Sequence, residues 1–225
     1  GWRRVSLALA SLCLVLPASA SAKEVLAPKV LVVTSTDDAL STAGKAAITA
    51  AAAGGTFEVT APAPANVAAE FANLDSYQAV VFLNTGLASP LTDANRAAFE
   101  TYFRKGGGFV GVGSAIETDP SWSFLTTLLG TRASGRTAVQ TGTVKVFDRV
   151  HDASKALPEY WDRTDAFYNF TTNVRGLSHV LASVVEDPFG PQPQGQVLDG
   201  IAGGTMGANH PISFCKDFQG GRSFY

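Results

Sequence analysis

Gly106-Gly107-Gly108-Phe109-Val110-Gly111-Val112-Gly113-Ser114-Ala115 (GGGFVGVGSA) is the stretch whose reading decides the fold. It contains the string G-x-G-x-x-G, which suggests a dinucleotide loop, and it closes on small residues around one hydroxyl, which suggests a nucleophile on a sharp turn. Position separates these readings. In a dinucleotide fingerprint the glycines follow the first strand and open a helix, so that backbone amides meet the pyrophosphate. Here they come after a helix: Thr92-Asp93 reads as its cap, Ala98, Phe99, Tyr102 and Phe103 recur at helical spacing, and Gly106 ends it. The glycines are therefore a helix end leading into a strand over Gly108–Val112, and a nicotinamide or flavin site is not expected here.

Working outward, Lys29–Thr34 is a continuous β-branched run, as expected of a strand buried on both faces. Ser35-Thr36-Asp37-Asp38 leads into an alanine-rich helix over Ala39–Ala53, closed by Gly54-Gly55. A second strand is predicted over Thr56–Thr60, a break at Ala61-Pro62-Ala63-Pro64, a helix over Asn66–Leu74 and a third strand over Ala79–Leu83. Strand and helix thus alternate from Lys29 to Val112, the pattern of an α/β fold with a parallel sheet and helices on both faces. The second half is less regular, with a helix near Ser121–Leu129, strands over Thr143–Phe147 and His179–Val185, and a Pro/Gly/Gln-rich stretch over Pro188–Gln196. No repeat or long linker divides the halves, so the second half is expected to extend the same sheet.

The 225 residues are 46% hydrophobic, which suits one α/β domain. Residues 1–22 carry an arginine pair, an apolar run from Val5 to Leu16, Pro17 and two overlapping Ala-Ser-Ala sites, the pattern of a secretory signal peptide cleaved after Ala20 or Ala22. The run is shorter than the about 20 apolar residues that cross a bilayer, so no permanent membrane anchor is expected. Leu12 before Cys13 does not suit lipidation. Residues 23–225 are then the exported domain. The start at Gly1 and the stop at Tyr225 inside a predicted strand lead to the expectation of a longer secreted protein with further domains downstream. Cleavage removes Arg3 and Arg4, so Lys+Arg falls from 17 to 15 against 19 Asp+Glu and net charge moves from -2 to -4. A mildly acidic domain without a basic run has no electrostatic footprint for nucleic acid.

Ser114 stands at the C-terminal end of a buried parallel strand, where an elbow would expose a nucleophile, yet the apex of a G-x-nucleophile-x-G turn falls on Gly113. The competing reading is a tight turn packed against a neighbouring loop. His151, Asp165, Tyr168, His210 and Arg222 are the other polar residues with chemical potential. Loop histidines serve as acid, base or ligand, or as structural hydrogen-bond partners, and His179 within SHVLASV reads as structural. No H-x-x-x-H or C-x-x-C pair is present, so neither a metal site nor a cofactor is expected. Trp122, Trp161, Phe167, Tyr168, Phe170 and Phe214 offer flat apolar rings near Asp, Asn and Arg, a surface that suits a sugar, although most such rings belong to cores.

The helix TDANRAAFETYFRKGGGFVGVGSA, the segment GTVKVFDRVHDASKALPEYWDRTDAFYNF, the phrase SHVLASV and the ending GGTMGANHPISFCKDFQGGRSFY together resemble the ThuA-like family, named for trehalose utilisation, from about Lys29 to Tyr225. The resemblance implies a flavodoxin-like sheet of the class I glutamine amidotransferase type and a role connected with sugars. His151 and His210 match the family's His-Pro-type positions. Three family polar positions are replaced: Gly113 stands at the elbow, Ser35-Thr36-Asp37-Asp38-Ala39 holds no histidine after the first strand, and Asp165-Ala166-Phe167-Tyr168 lacks the carboxylate beside the aspartate.

Open α/β sheets bind ligands at the C-terminal edge of their strands, and a carbohydrate is expected there. Ser35, Thr85, Gly113 and Ser114 are expected to line it with His151, Asp165, Tyr168 and His210, and Trp122 and Arg222 are further ligand contacts. In an enzyme, Asp165 or His151 would be the acid or base and Tyr168 would position a hydroxyl. A binding module needs only the rings and the polar rim, and the three replaced positions favour it. A serine hydrolase using Ser114 with His151 or His210, and a non-catalytic interaction domain, are the alternatives. Loss of Cys13 with the signal leaves Cys215 as an odd cysteine in an oxidising compartment. Secreted members of the family carry a second cysteine soon after this point, which implies a disulfide at Cys215 in a longer chain.

Overall fold

The computed structural model describes residues 26–186, 198 and 200–225; the leading segment 1–22 and the Pro/Gly/Gln-rich stretch 188–196 lie outside the described residues. The first half alternates as its sequence pattern demands: β1 (Lys29–Val33), α1 (Ala39–Ala52), β2 (Glu58–Thr60), α2 (Val67–Glu70), β3 (Ala79–Leu83), α3 (Asp93–Arg104) and β4 (Gly108–Val112). Then follow α4 (Ser123–Leu129), β5 (Ala133–Arg136), β6 (Gln140–Val146), β7 (Tyr160–Asp165), β8 (Tyr168–Phe170), β9 (His179–Val184), β10 (His210–Phe218) and β11 (Gly221–Phe224). Nine strands form one sheet in the order β2-β1-β3-β4-β11-β10-β9-β6-β7, and β5 pairs with β8 in a small second sheet.

The sheet is mixed. β2, β1, β3, β4 and β11 run parallel, and β10, β9, β6 and β7 extend the same sheet through antiparallel pairs. The helix expected over Asn66–Leu74 is broken into α2 and flanking 3-10 turns at Pro64–Asn66 and Phe71–Ser76, with Asn73 outside helical geometry at φ -127° and ψ 29°. Near its end the Ser76 hydroxyl donates to the Asn73 carbonyl at 2.8 Å, a local bond that competes with the helix ladder.

Side chains alternate across the central strands. Leu31, Val33, Val80, Phe82 and Phe109 face the core shared with α2, α3 and α4, whereas Val32, Val81 and Leu83 face α1. The α1 backbone comes close at Gly44, where an added Cβ would lie 2.8 Å from a Leu83 methyl. On the other face Phe99 of α3 is fully buried, edge-on to Phe109 at 5.8 Å and to Trp122 at 5.5 Å. Each such aromatic pair contributes about 0.5–1.5 kcal/mol beyond its area burial.

The opening glycines act as a helix end. Gly106 sits at φ +104°, and its amide and that of Gly107 satisfy the carbonyls of Phe103 and Tyr102 at 3.0 and 3.2 Å. Gly108 then enters β4 beside Ala79 of β3. Among the described residues no helix is long and apolar enough to cross a membrane.

Candidate functional site

The carboxyl ends of β1, β3 and β4 deliver Ser35, Asn84–Gly86 and Gly113–Ser114 to one edge. Ser35 Oγ donates to the Thr85 carbonyl, and the buried Thr85 and Thr118 hydroxyls hydrogen-bond each other. Asn84 takes the left-handed conformation at φ 50°, its N–H donates to the Val112 carbonyl at 3.0 Å, and its Oδ1 accepts from Ser114 N–H at 3.4 Å. Gly113 is at φ +60°, and a Cβ added there would lie 2.1 Å from Asn84 Oδ1. Tyr225 Oη donates to the Gly113 carbonyl at 2.8 Å, and Gly86 N–H donates to the Ser114 carbonyl at 3.2 Å. The turn is thus packed against the loop after β3 and tied by Tyr225.

The next residues form a 3-10 turn, Gly113–Glu117, that projects a carboxylate. Tyr168 Oη donates to Glu117 Oε2 at 3.1 Å. Burial, reinforced by the Glu117 carboxylate and partly opposed by Arg136, pushes the Tyr168 phenol up to about 12. Burial, with Tyr168, Glu117 and Asp165 as neighbours, holds the Tyr225 phenol well above its ordinary range. Asp165, whose charge is felt at Tyr225, is gripped by Arg163 at 2.6 and 2.8 Å. Ala166 stands beside Asp165 where the family pattern has a carboxylate, and the carboxylate that Tyr168 meets is Glu117. Glu117 and Thr118 lead into a cleft of about 270 Å³ whose walls combine apolar Leu87, Ile116 and Leu125 with polar Thr131, Arg132 and Ser134.

Ser35, Thr85, Gly113, Ser114, Asp165 and Tyr168 therefore share the edge region. Four other expected contacts do not. Trp122 is a core residue, 5% exposed, whose ring packs on Phe82 and Phe99 and whose Nε1 donates to Glu100 at 2.9 Å. Arg222 pairs with Gly108, at the opposite end of the parallel strands. It lines an open groove of about 850 Å³ on the sheet face beyond α1, together with His151, His179 and Cys215.

In that groove His151 Nδ1 accepts from Ala153 N–H at 3.1 Å, which leaves Nε2 as the protonated nitrogen, 3.7 Å from the Cys215 thiol. His179 pairs with Asp148 at 2.8 Å, and backbone N–H groups of Val150 and His151 hold the Asp148 carboxyl below its usual range. Cys215 is free, with burial pushing its thiol up. His210 is fully buried, and both ring nitrogens are committed, to Glu186 at 2.5 Å and to the Tyr168 carbonyl at 2.7 Å. Neither His151 nor His210 is hydrogen-bonded to Ser114. Among the described residues no three metal-ligating side chains converge on one point.

The sequence reading missed Glu117, Asn84 and Glu186. Asn84 and Glu117 directly follow strands or strand turns at the ligand-binding edge, and that position was the available signal. Glu186 gave none, since its partners are brought to it only by the fold.

This architecture matches solved structures. A ThuA-like protein from Bacteroides uniformis superposes with a TM-score of 0.65 at 20% identity, covering 90% of this chain and 84% of that one. A ThuA-like protein from Parabacteroides merdae gives 0.64 at 18% identity, with 88% and 78% covered. A glutamine amidotransferase from Thermotoga maritima gives 0.51 at 11% identity, with 88% and 75% covered, so the fold is α/β of the flavodoxin-like, glutamine amidotransferase type. No curated protein matches the chain. The model of the ThuA family, described as trehalose utilisation, matches residues 29–225, and the chain belongs to that family.

Proposed function

We propose that this domain binds a carbohydrate at the C-terminal edge of its parallel strands, seating one sugar ring in the cleft beside Glu117. The observation that carries the reading is Glu117, held by Tyr168, in the wall of a cleft with apolar walls and a polar rim. A pyranose has the complementary surface, with C–H faces for Leu87, Ile116 and Leu125 and hydroxyls for Glu117, Thr131 and Arg132. The volume of about 270 Å³ suits a single ring rather than a long glycan. Binding stands ahead of serine hydrolysis because, among the described residues, the Ser114 hydroxyl has no base in hydrogen-bond contact. Membership of a family described as trehalose utilisation supports the sugar class. Export belongs to the same proposal and rests on the leading segment 1–22.

Isothermal titration of the protein with a panel of mono- and disaccharides tests the reading. Saturable binding is expected, weakened about tenfold or more in Glu117→Gln, since a hydrogen bond to a charged group contributes about 1.5–3 kcal/mol. No saturable heat with any member of the panel, or affinity untouched by Glu117→Gln, would overturn it.

A further inference from the structure

The His210 ring is hydrogen-bonded through both nitrogens, to Glu186, whose side chain is 10% exposed, and to the Tyr168 carbonyl. His210 opens β10 and is fully buried. Its Nε2 faces a backbone carbonyl, which can only accept, so Nε2 donates there. Its Nδ1 faces Glu186 Oε1, and that same oxygen accepts from Met206 N–H at 2.8 Å while Oε2 accepts from Gly207 N–H at 2.6 Å. The carboxyl group is thus held by two backbone amides and the imidazole, and the ring bridges it to the Tyr168 carbonyl. Gly204 lets the loop close over this carboxylate, because a Cβ there would lie 2.4 Å from Glu186 Cδ. The same loop is strapped to β8: Asn169 Nδ2 donates to the Gly203 carbonyl at 3.0 Å, Asn169 Oδ1 accepts from Thr205 N–H at 2.9 Å, and the Phe170 N–H meets Met206 Sδ at 3.4 Å.

We propose that His210 and Glu186 are positioning residues, a hydrogen-bonded latch that fixes β8 through the Tyr168 carbonyl and so holds the Tyr168 hydroxyl on Glu117. β8 is short, begins with Tyr168 and among the described residues pairs only with β5, so the bond from His210 is one of the few polar ties, with those of Asn169 and Phe170, that place it relative to the large sheet. The purpose of the latch rests on the sugar-binding reading; its mechanics rest on geometry alone.

The test separates the two arms of the ring. His210→Gln keeps a donor near the Nε2 position and His210→Asn keeps one near Nδ1. In protein labelled with 13Cζ-tyrosine, the Tyr168 resonance is assigned by its loss in Tyr168→Phe. It is expected to move in His210→Asn and to stay near its wild-type position in His210→Gln. Glu186→Gln is expected to speed amide exchange of Met206 and Gly207 by about tenfold or more as the loop is released. An unmoved Tyr168 resonance in folded His210→Asn overturns the proposal. If that variant does not fold, unchanged exchange in Glu186→Gln does so. A Tyr168 resonance that moves in a protein that binds no sugar sustains the latch and removes the carbohydrate reading, so the two stand or fall separately.

Discussion

Gly113 is where the chemistry suggested by the sequence meets the sterics of the fold. Its φ of +60° lies in the left-handed region, and Asn84 Oδ1 occupies the place a side chain would take. An alanine there must move Asn84, which is itself left-handed and bonded to the β4 turn. Gly113→Ala is therefore expected to destabilise by about 1–3 kcal/mol, whereas Ser114→Ala, which removes a hydroxyl with no hydrogen-bond partner among the described residues, is expected to stay within about 0.5 kcal/mol. Urea titration of both variants checks the contrast, and equal losses would show that the turn tolerates a side chain. The strand end and its small residues were legible because they are local. Glu117 and Tyr168 are separated by 51 positions, and Glu186 and His210 by 24, so neither partnership is written in any local pattern. Arg222 misled for the same reason: its strand was visible, but which end of the sheet it would face was not.

Among elements, α3 was the most legible because its signals are chemical as well as periodic. Asn95 N–H donates to Thr92 Oγ1 at 3.2 Å, and Thr92 N–H donates to Asn95 Oδ1 at 3.1 Å, a reciprocal capping box. Asn95 Nδ2 also reaches the Ala68 carbonyl at 3.2 Å and links α3 to α2. Thr92→Ala is expected to cost about 1 kcal/mol, read as a lowered melting temperature with unchanged far-ultraviolet dichroism at low temperature. An unshifted melting temperature would mean that packing of Phe99 and Phe103 alone sets this helix. The antiparallel half illustrates what periodicity withholds, since a run of apolar residues gives a strand but not its direction. Direction came from the turns: Gln219 and Gly220, at φ 45° and 98°, form the two-residue link that folds β11 back on β10. That tight hairpin lets β11 close the parallel row against β4 while β10 begins the antiparallel extension.

At the scale of the molecule, one core serves both halves of the sheet, since Phe170, Val180 and Phe214 belong to the same cluster as Phe82, Phe99 and Phe109. Two phenols tie parts of this body together. Tyr102 Oη donates to the Gly108 carbonyl at 3.2 Å and accepts from the Gly108 N–H at 3.1 Å, joining α3 to the start of β4, and burial pushes its phenol up to about 12. Tyr168 joins β8 to Glu117 and is likewise raised to about 12. A folded-state value above the unfolded value of 10 means that folding favours the protonated phenol. The stabilisation is therefore whole below pH 10 and is lost as pH rises through about 12. The melting temperature is expected to fall across that window, and to fall less steeply in Tyr102→Phe, which starts lower because it lacks both hydrogen bonds but has no phenol to ionise. Comparing the slopes of the two proteins, rather than their absolute values, removes the contribution of lysines that titrate over the same range. Parallel curves with a constant offset would show that Tyr102 ionises as freely in the folded protein as in the unfolded chain, and that its tie between α3 and β4 does not depend on the proton.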